Sequence, residues 1–142
     1  MLSDKAQLLK ATTVAARAHQ HQKRKDGTPY IAHPVRVAVR CDTVLEKTVA
    51  LLHDVVEDTD ITFDELRELG FSREVIDAVD ALTKRPGEKY HDDFIKRTVS
   101  NPLAIKVKIQ DINDNMEDQS ALDPEEAEFL SKRYKRALDL LV

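Results

Sequence analysis

An all-α fold, one domain of about seven or eight helices, is what the sequence predicts on three observations. Apolar residues recur at helical spacing along most of the chain. Cap residues stand at the heads of those runs. With 3 glycines and 5 prolines, the chain is poorly equipped for the turns of a many-stranded β-fold. Its 142 residues fit one domain, 1–142, with its own hydrophobic core.

The elements follow in order. Residues 3–22 read as an amphipathic helix capped by Ser3, with Leu8, Leu9, Ala15, Ala16 and Ala18 on its apolar faces. KRKDGTPYIAHP (23–34) breaks the periodicity with Asp26-Gly27 and Thr28-Pro29, so an ordered loop is expected. Pro34 suits the first position of a helix over 34–42 and pushes His33 out of helical geometry, to the helix mouth. Val35, Val37, Ala38 and Val39 are expected inside. One unbroken helix is expected over 45–58. Thr62-Phe63-Asp64-Glu65 is a capping box for a helix ending near Gly70. Ser72 caps the next, with Val75, Ile76, Val79 and Leu82 as its apolar positions. KRPGEK (84–89) is a loop and 90–100 a helix. Pro102 starts another helix, although Leu103, Ile105, Val107 and Ile109 alternate as a strand would. Asp123-Pro124 opens the last, to Leu141. There is no internal repeat, linker or low-complexity segment.

Composition narrows the function. A net charge of −4 without a sustained basic run argues against a nucleic-acid partner, yet leaves room for a small anionic ligand at a local basic cluster. The single Cys41 excludes an intramolecular disulfide and a cysteine zinc site; it fits a reducing cytoplasm and a place in the core. The longest apolar run, Val49–Leu52, spans no membrane, and MLSDKAQLLK lacks the layout of a secretion signal. Association into a homodimer is left open.

The chemistry concentrates in LLHDVVEDTD (51–60). On a helix, residues four apart share a face, so His53 stacks on Glu57 and Asp54 on Asp58, at the border of the apolar side. Downstream, Asp111 and Asn115 repeat the spacing among Ile109, Ile112 and Met116. His33, His53, Asp54 and Asp111 together can converge on one cation. Two imidazoles and two carboxylates suit a borderline divalent metal such as Mn²⁺, Fe²⁺ or Zn²⁺. Spacing alone leaves a solvated charged face open as well, since His-Asp pairs are common by chance.

The motifs resemble a known family. RKDGTPYIAHP (24–34), ALLHDVVEDT (50–59), LTK (82–84) and KIQDINDNM (108–116), in this order, are similar to blocks of HD-superfamily phosphohydrolases, specifically the hydrolase domain of RelA/SpoT-type alarmone enzymes and the small alarmone hydrolases. The resemblance runs from Ala16 to about Leu141. It implies an all-helical domain that binds one Mn²⁺ and hydrolyses the 3′-diphosphate of guanosine tetra- and pentaphosphate, releasing pyrophosphate. It implies His33, His53, Asp54 and Asp111 as metal ligands, and Glu57 and Asp58 as the catalytic acidic pair. It also implies Arg24 and Lys25 beside the nucleotide, Asn115 at its sugar–phosphate region, and Tyr134 as a nucleotide contact. A synthetase domain has no room in this length.

The chain departs from the family pattern in KIQDINDNM. Ile112 stands where arginine is usual, Asp114 where histidine or tyrosine is usual, and Glu117-Asp118 where a pair with arginine and threonine is common. These changes are expected to make the pocket more acidic. They keep a second function in view, hydrolysis of another nucleotide such as a monophosphate or a phosphorylated dinucleotide. A third, a non-catalytic nucleotide-binding module, has no use for an acidic pair that activates water.

Overall fold

Helix ends follow from the caps. The computed structural model describes residues 2–118 and 122–142. Ser3, Thr43, Thr62, Ser72, Asn101 and Asp123 each accept a backbone N–H from the first turn of the helix they precede. The helices are α1 (Asp4–Ala18), α2 (Ala32–Arg40), α3 (Val44–Leu52), α4 (Val55–Asp58), α5 (Phe63–Glu68), α6 (Arg73–Ala81), α7 (Lys96–Val99), α8 (Pro102–Glu117) and α9 (Pro124–Leu141). A π-helical segment, Tyr90–Ile95, runs directly into α7. With α3–α4 and the π segment–α7 each taken as one interrupted helix, the described residues form eight helical stretches of an all-α domain. The described residues hold one isolated β-bridge, Lys23 with Pro29, which closes the 23–30 loop. Among them no helix is long and apolar enough to cross a membrane.

Helix α3 lies at the centre. Helices α1 and α2 pack on it, and α8 crosses both α2 and α3. Ala11, Ala15, Val37, Val49, Leu52, Val55, Val75, Val79, Ala104 and Val107 meet in the main core, all 0% exposed. A smaller cluster of Phe94, Ile95, Ile112, Ala137 and Leu141 seals α8 to α9 and the π segment. Burial in α8 falls at Ala104, Val107, Lys108, Asp111 and Ile112, the spacing of a helix rather than of a strand.

Four expectations need correction. Helix α1 stops at Ala18, and its buried residues are Gln7, Ala11, Val14 and Ala15, while Leu9 is exposed. Helix α2 starts two residues before Pro34, so His33 sits inside its first turn. A first-turn residue has no intrahelical N–H partner to lose, so proline is tolerated there. Val37 and Ala38 face the core, whereas Val35 and Val39 face solvent. The helix expected over 45–58 is broken at His53-Asp54. An unbroken helix would give the Ala50 carbonyl to the Asp54 N–H. Here that carbonyl accepts the His53 Nδ1–H instead.

Candidate active site

The break at 53–54 turns His53 and Asp54 towards α2. Nitrogen and oxygen atoms of His33, His53 and Asp54 all come within 4.8 Å of one another. Asp111 enters from α8, its Oδ1 lying 2.8 Å from His33 Nε2 and 3.3 Å from His53 Nε2. Both imidazoles are 2% exposed, and Asp111 is 4% exposed. The four residues predicted as ligands thus share one spot, buried at His33, His53 and Asp111 and half-buried at Asp54, fed by α2, the α3–α4 break and α8.

Around them each group is held from behind. His53 Nδ1 is spent on the Ala50 carbonyl and His33 Nδ1 on Asp114 Oδ2, at 2.7 Å. Both Nε2 atoms therefore face inward. The Tyr30 hydroxyl donates to Asp54 Oδ2, and Lys108 Nζ donates to Asp111 Oδ2 at 2.9 Å. Burial works to raise the Asp54 carboxyl, but the His53 imidazole and the Tyr30 hydroxyl outweigh it and hold the group at about 2. Burial likewise opposes ionisation of Asp111, and the Lys108 ammonium overrides it, keeping that carboxyl well below the usual range.

These residues fit a divalent cation. His53 Nε2 is buried without a hydrogen-bond partner, although Asp54 Oδ2 lies 3.0 Å away off the bonding line. Burial works to lower the proton affinity of both imidazoles, but the converging carboxylates raise it above its ordinary value, a charge balance that a bound cation would take over. Ring N–H groups anchored on a carbonyl and a carboxylate are what imidazole ligands of metals need. The donors are nitrogen and oxygen only, the choice of a borderline ion.

The acidic pair follows Asp54 on α4; both acids are exposed, and Glu57 lines a surface pocket with Thr83, Lys84 and Arg85. Glu57 Oε1 accepts the Lys84 N–H at 2.7 Å, which ties α4 to the 84–89 loop. Burial raises the carboxyls of Glu57 and Asp58 above their ordinary values, and Asp54 adds to both shifts.

A groove of about 320 Å³ opens next to the cluster, lined by Arg24, Lys25, Tyr30, Asn115, Leu130 and Tyr134 among others. All four residues expected to contact substrate line it. It meets the buried cluster at two points: Tyr30 bonds Asp54, and Asn115 Nδ2 lies 3.4 Å from Asp111 Oδ1. Arg24 pairs with Asp118 at 3.4 Å, and the exposed Lys25 with Glu126 at 3.0 Å. A larger groove of about 590 Å³, between the π segment and α9, holds none of the predicted site residues.

The expected acidity of the pocket edge is largely neutralised. Asp114 is buried behind His33 and gripped by Arg36, Asp118 pairs with Arg24 and Arg36, and Glu117 with Arg40. Ile112 is packed in the small cluster away from the groove. Sequence reasoning missed the supporting residues Tyr30, Arg36 and Lys108. Lys108 carried a signal, since it precedes Asp111 by three and shares its helix face. Arg36 and Tyr30 lie 78 and 24 residues from their partners, and local pattern is silent at such range.

Residues 11–94 match the HD domain family. The guanosine-3′,5′-bis(diphosphate) 3′-pyrophosphohydrolase MESH1 of Homo sapiens is 39% identical over 137 residues, 88% of this chain and 76% of that protein. The guanosine-3′,5′-bis(diphosphate) 3′-pyrophosphohydrolase of Aquifex aeolicus (strain VF5) is 35% identical over 124 residues, 78% of this chain and 17% of that protein. A solved structure described as a metazoan ortholog of SpoT that hydrolyzes ppGpp superposes with a TM-score of 0.83 at 26% identity. The match covers 99% of this chain and 87% of that one.

Proposed function

The chain belongs to the HD domain family, and from that premise we propose that it is a metal-dependent hydrolase that cleaves guanosine 3′,5′-bis(diphosphate) to GDP and pyrophosphate. What carries this reading is one juxtaposition. A buried set of two imidazoles and two carboxylates adjoins a groove whose mouth holds Arg24 and Lys25. The relatives that share the family are named for this reaction. The single domain 1–142 is read as the catalytic unit.

His33, His53, Asp54 and Asp111 would hold a borderline divalent metal, and the family resemblance points to Mn²⁺ among the ions that suit this set. Bound there, a divalent cation supplies Lewis acidity and lowers the pKa of a water molecule. The chain's own residues do the rest. Arg24 gives the diphosphate a planar charged donor set, and Lys25 releases Glu126 to add a second charge. Asn115 reaches the sugar–phosphate region from the edge of the cluster, and Tyr134 walls the groove. Glu57 and Asp58 accept the proton of the attacking water, their raised affinity for protons bringing them closer to neutral pH. Burial of the cluster excludes bulk water and strengthens these interactions.

Product analysis tests the reading. Guanosine tetraphosphate incubated with protein and Mn²⁺ should give GDP and pyrophosphate on anion exchange, with no orthophosphate as first product. Orthophosphate first would replace this reaction with a monoesterase, and absence of turnover would overturn the substrate assignment.

A further inference from the structure

His33 is held at both ring nitrogens by carboxylates of one helix. Asp111 faces Nε2 at 2.8 Å and Asp114, one turn on, faces Nδ1 at 2.7 Å. Asp114 is 1% exposed, a buried charge that needs partners. Helix α2 supplies them. Arg36 donates from Nε to Asp114 Oδ1 at 2.9 Å and from Nη2 to Oδ2 at 3.1 Å, and Arg40 Nε stands 3.5 Å from Oδ1. His33, Arg36 and Arg40 are spaced three and four apart, so one face of α2 presents the imidazole and both guanidiniums to the same carboxylate.

The chemistry of that arrangement is directional. A guanidinium does not give up its proton in a protein, so Asp114 is kept as a carboxylate and can only accept. Nε2 faces a second carboxylate, Asp111, at 2.8 Å, so each ring nitrogen has an acceptor until a cation takes Nε2. With a cation there, the ring proton is left on Nδ1, where Asp114 accepts it. The Tyr30–His33 ring contact, 5.7 Å between centroids, limits rotation of the imidazole.

We propose that Asp114 is a positioning residue for the metal centre: clamped by Arg36 and Arg40, it holds the His33 ring so that Nε2 faces the cation, and it accepts the Nδ1–H of the bound imidazole. The inference rests on the reading of His33 as a ligand. A tie between α2 and α8 alone would make a different prediction, because breaking such a tie changes stability without changing metal affinity.

Two measurements on the full chain decide. Mn²⁺ titrations followed by electron paramagnetic resonance should show Asp114→Asn binding roughly 10- to 100-fold more weakly than wild type. Glu117→Gln removes a neighbouring α2–α8 ion pair that does not touch His33, and it should bind Mn²⁺ within about twofold of wild type. Equal affinity in Asp114→Asn overturns the proposal, as does an equal loss in Glu117→Gln. The second measurement needs no variant. Nitrogen-15 spectra of the Zn²⁺-loaded wild type should show the His33 proton on Nδ1, and a proton on Nε2 overturns the assignment even if Asp114→Asn does not fold. Failure of wild type to bind Mn²⁺ or Zn²⁺ would overturn the metal-centre reading itself, an outcome distinct from wild type and Asp114→Asn binding alike.

Discussion

Replacing Glu57 with glutamine separates catalysis from metal binding. The Glu57 carboxylate is engaged by the Lys84 N–H at 2.7 Å, and glutamine keeps a carbonyl oxygen for that bond. Loss of a charge-assisted contact for a neutral one at this exposed site should cost stability no more than about 1 kcal/mol. The groups that converge within 4.8 Å are His33, His53 and Asp54, so Glu57→Gln should retain bound metal. What disappears is a base whose proton affinity is raised by burial and by the charges of Asp54 and Asp58. General-base catalysis contributes roughly 10²–10⁴-fold, so kcat should fall by that factor, equivalent to about 3–5 kcal/mol of barrier. KM should move by less than about threefold, as expected for an interaction made in the transition state. Steady-state kinetics and metal content measured on one sample form the assay. Unchanged kcat would remove Glu57 from the chemistry, and loss of metal with the substitution would make it a ligand or a support of one.

Arg24→Ala should raise KM roughly 10- to 100-fold with kcat nearly preserved, because a charge-assisted bond to phosphate contributes about 1.5–3 kcal/mol; an unchanged KM would show that the diphosphate lies elsewhere. Stability should also depend on pH through Glu88, whose bonds to Arg97 hold its carboxyl at about 2, below the ordinary 4.5. A lowered folded-state pKa gives stabilisation that is complete above about 4.5 and lost as pH falls towards 2, so Glu88→Gln should be less stable by about 1–2 kcal/mol near neutrality, after allowance for its exposure, and the gap should close in acid. Denaturant melts at pH 7 and pH 3 check this; a gap that widens in acid would contradict it.

The helix ends were legible because their signals are local. Ser3, Thr62, Ser72, Pro102 and Asp123 cap or start helices through atoms three residues away. The break at 53–54 was not, since Val44–Asp58 holds neither glycine nor proline. The break arises when the His53 imidazole takes the Ala50 carbonyl, a competition that helical periodicity cannot express. The π-helical segment is similar. Phe94 N–H bonds the Lys89 carbonyl, bringing Tyr90 and Phe94 around Lys108, and its cause is tertiary. In the candidate site, the four proposed ligands could be read from residue type and motif order. The partners that aim them, Tyr30, Arg36, Lys108 and Asp114, are set by the packing of α2 against α8 and the 23–30 loop. Asp114 shows the limit most clearly: as a letter it adds negative charge to the pocket edge, but in the fold it turns away from the groove and is neutralised.

In the proposed reaction, hydrolysis runs through one cation held by His33, His53, Asp54 and Asp111. The direct test strips the protein with chelator, reloads it stepwise with Mn²⁺, and measures bound metal and turnover of guanosine tetraphosphate on each sample. Activity should be absent in the stripped protein and rise in proportion to bound Mn²⁺, saturating at about one ion per chain. His53→Ala and Asp54→Ala should lose metal and turnover together. Full turnover in the stripped protein, or saturating metal without turnover, would contradict the account.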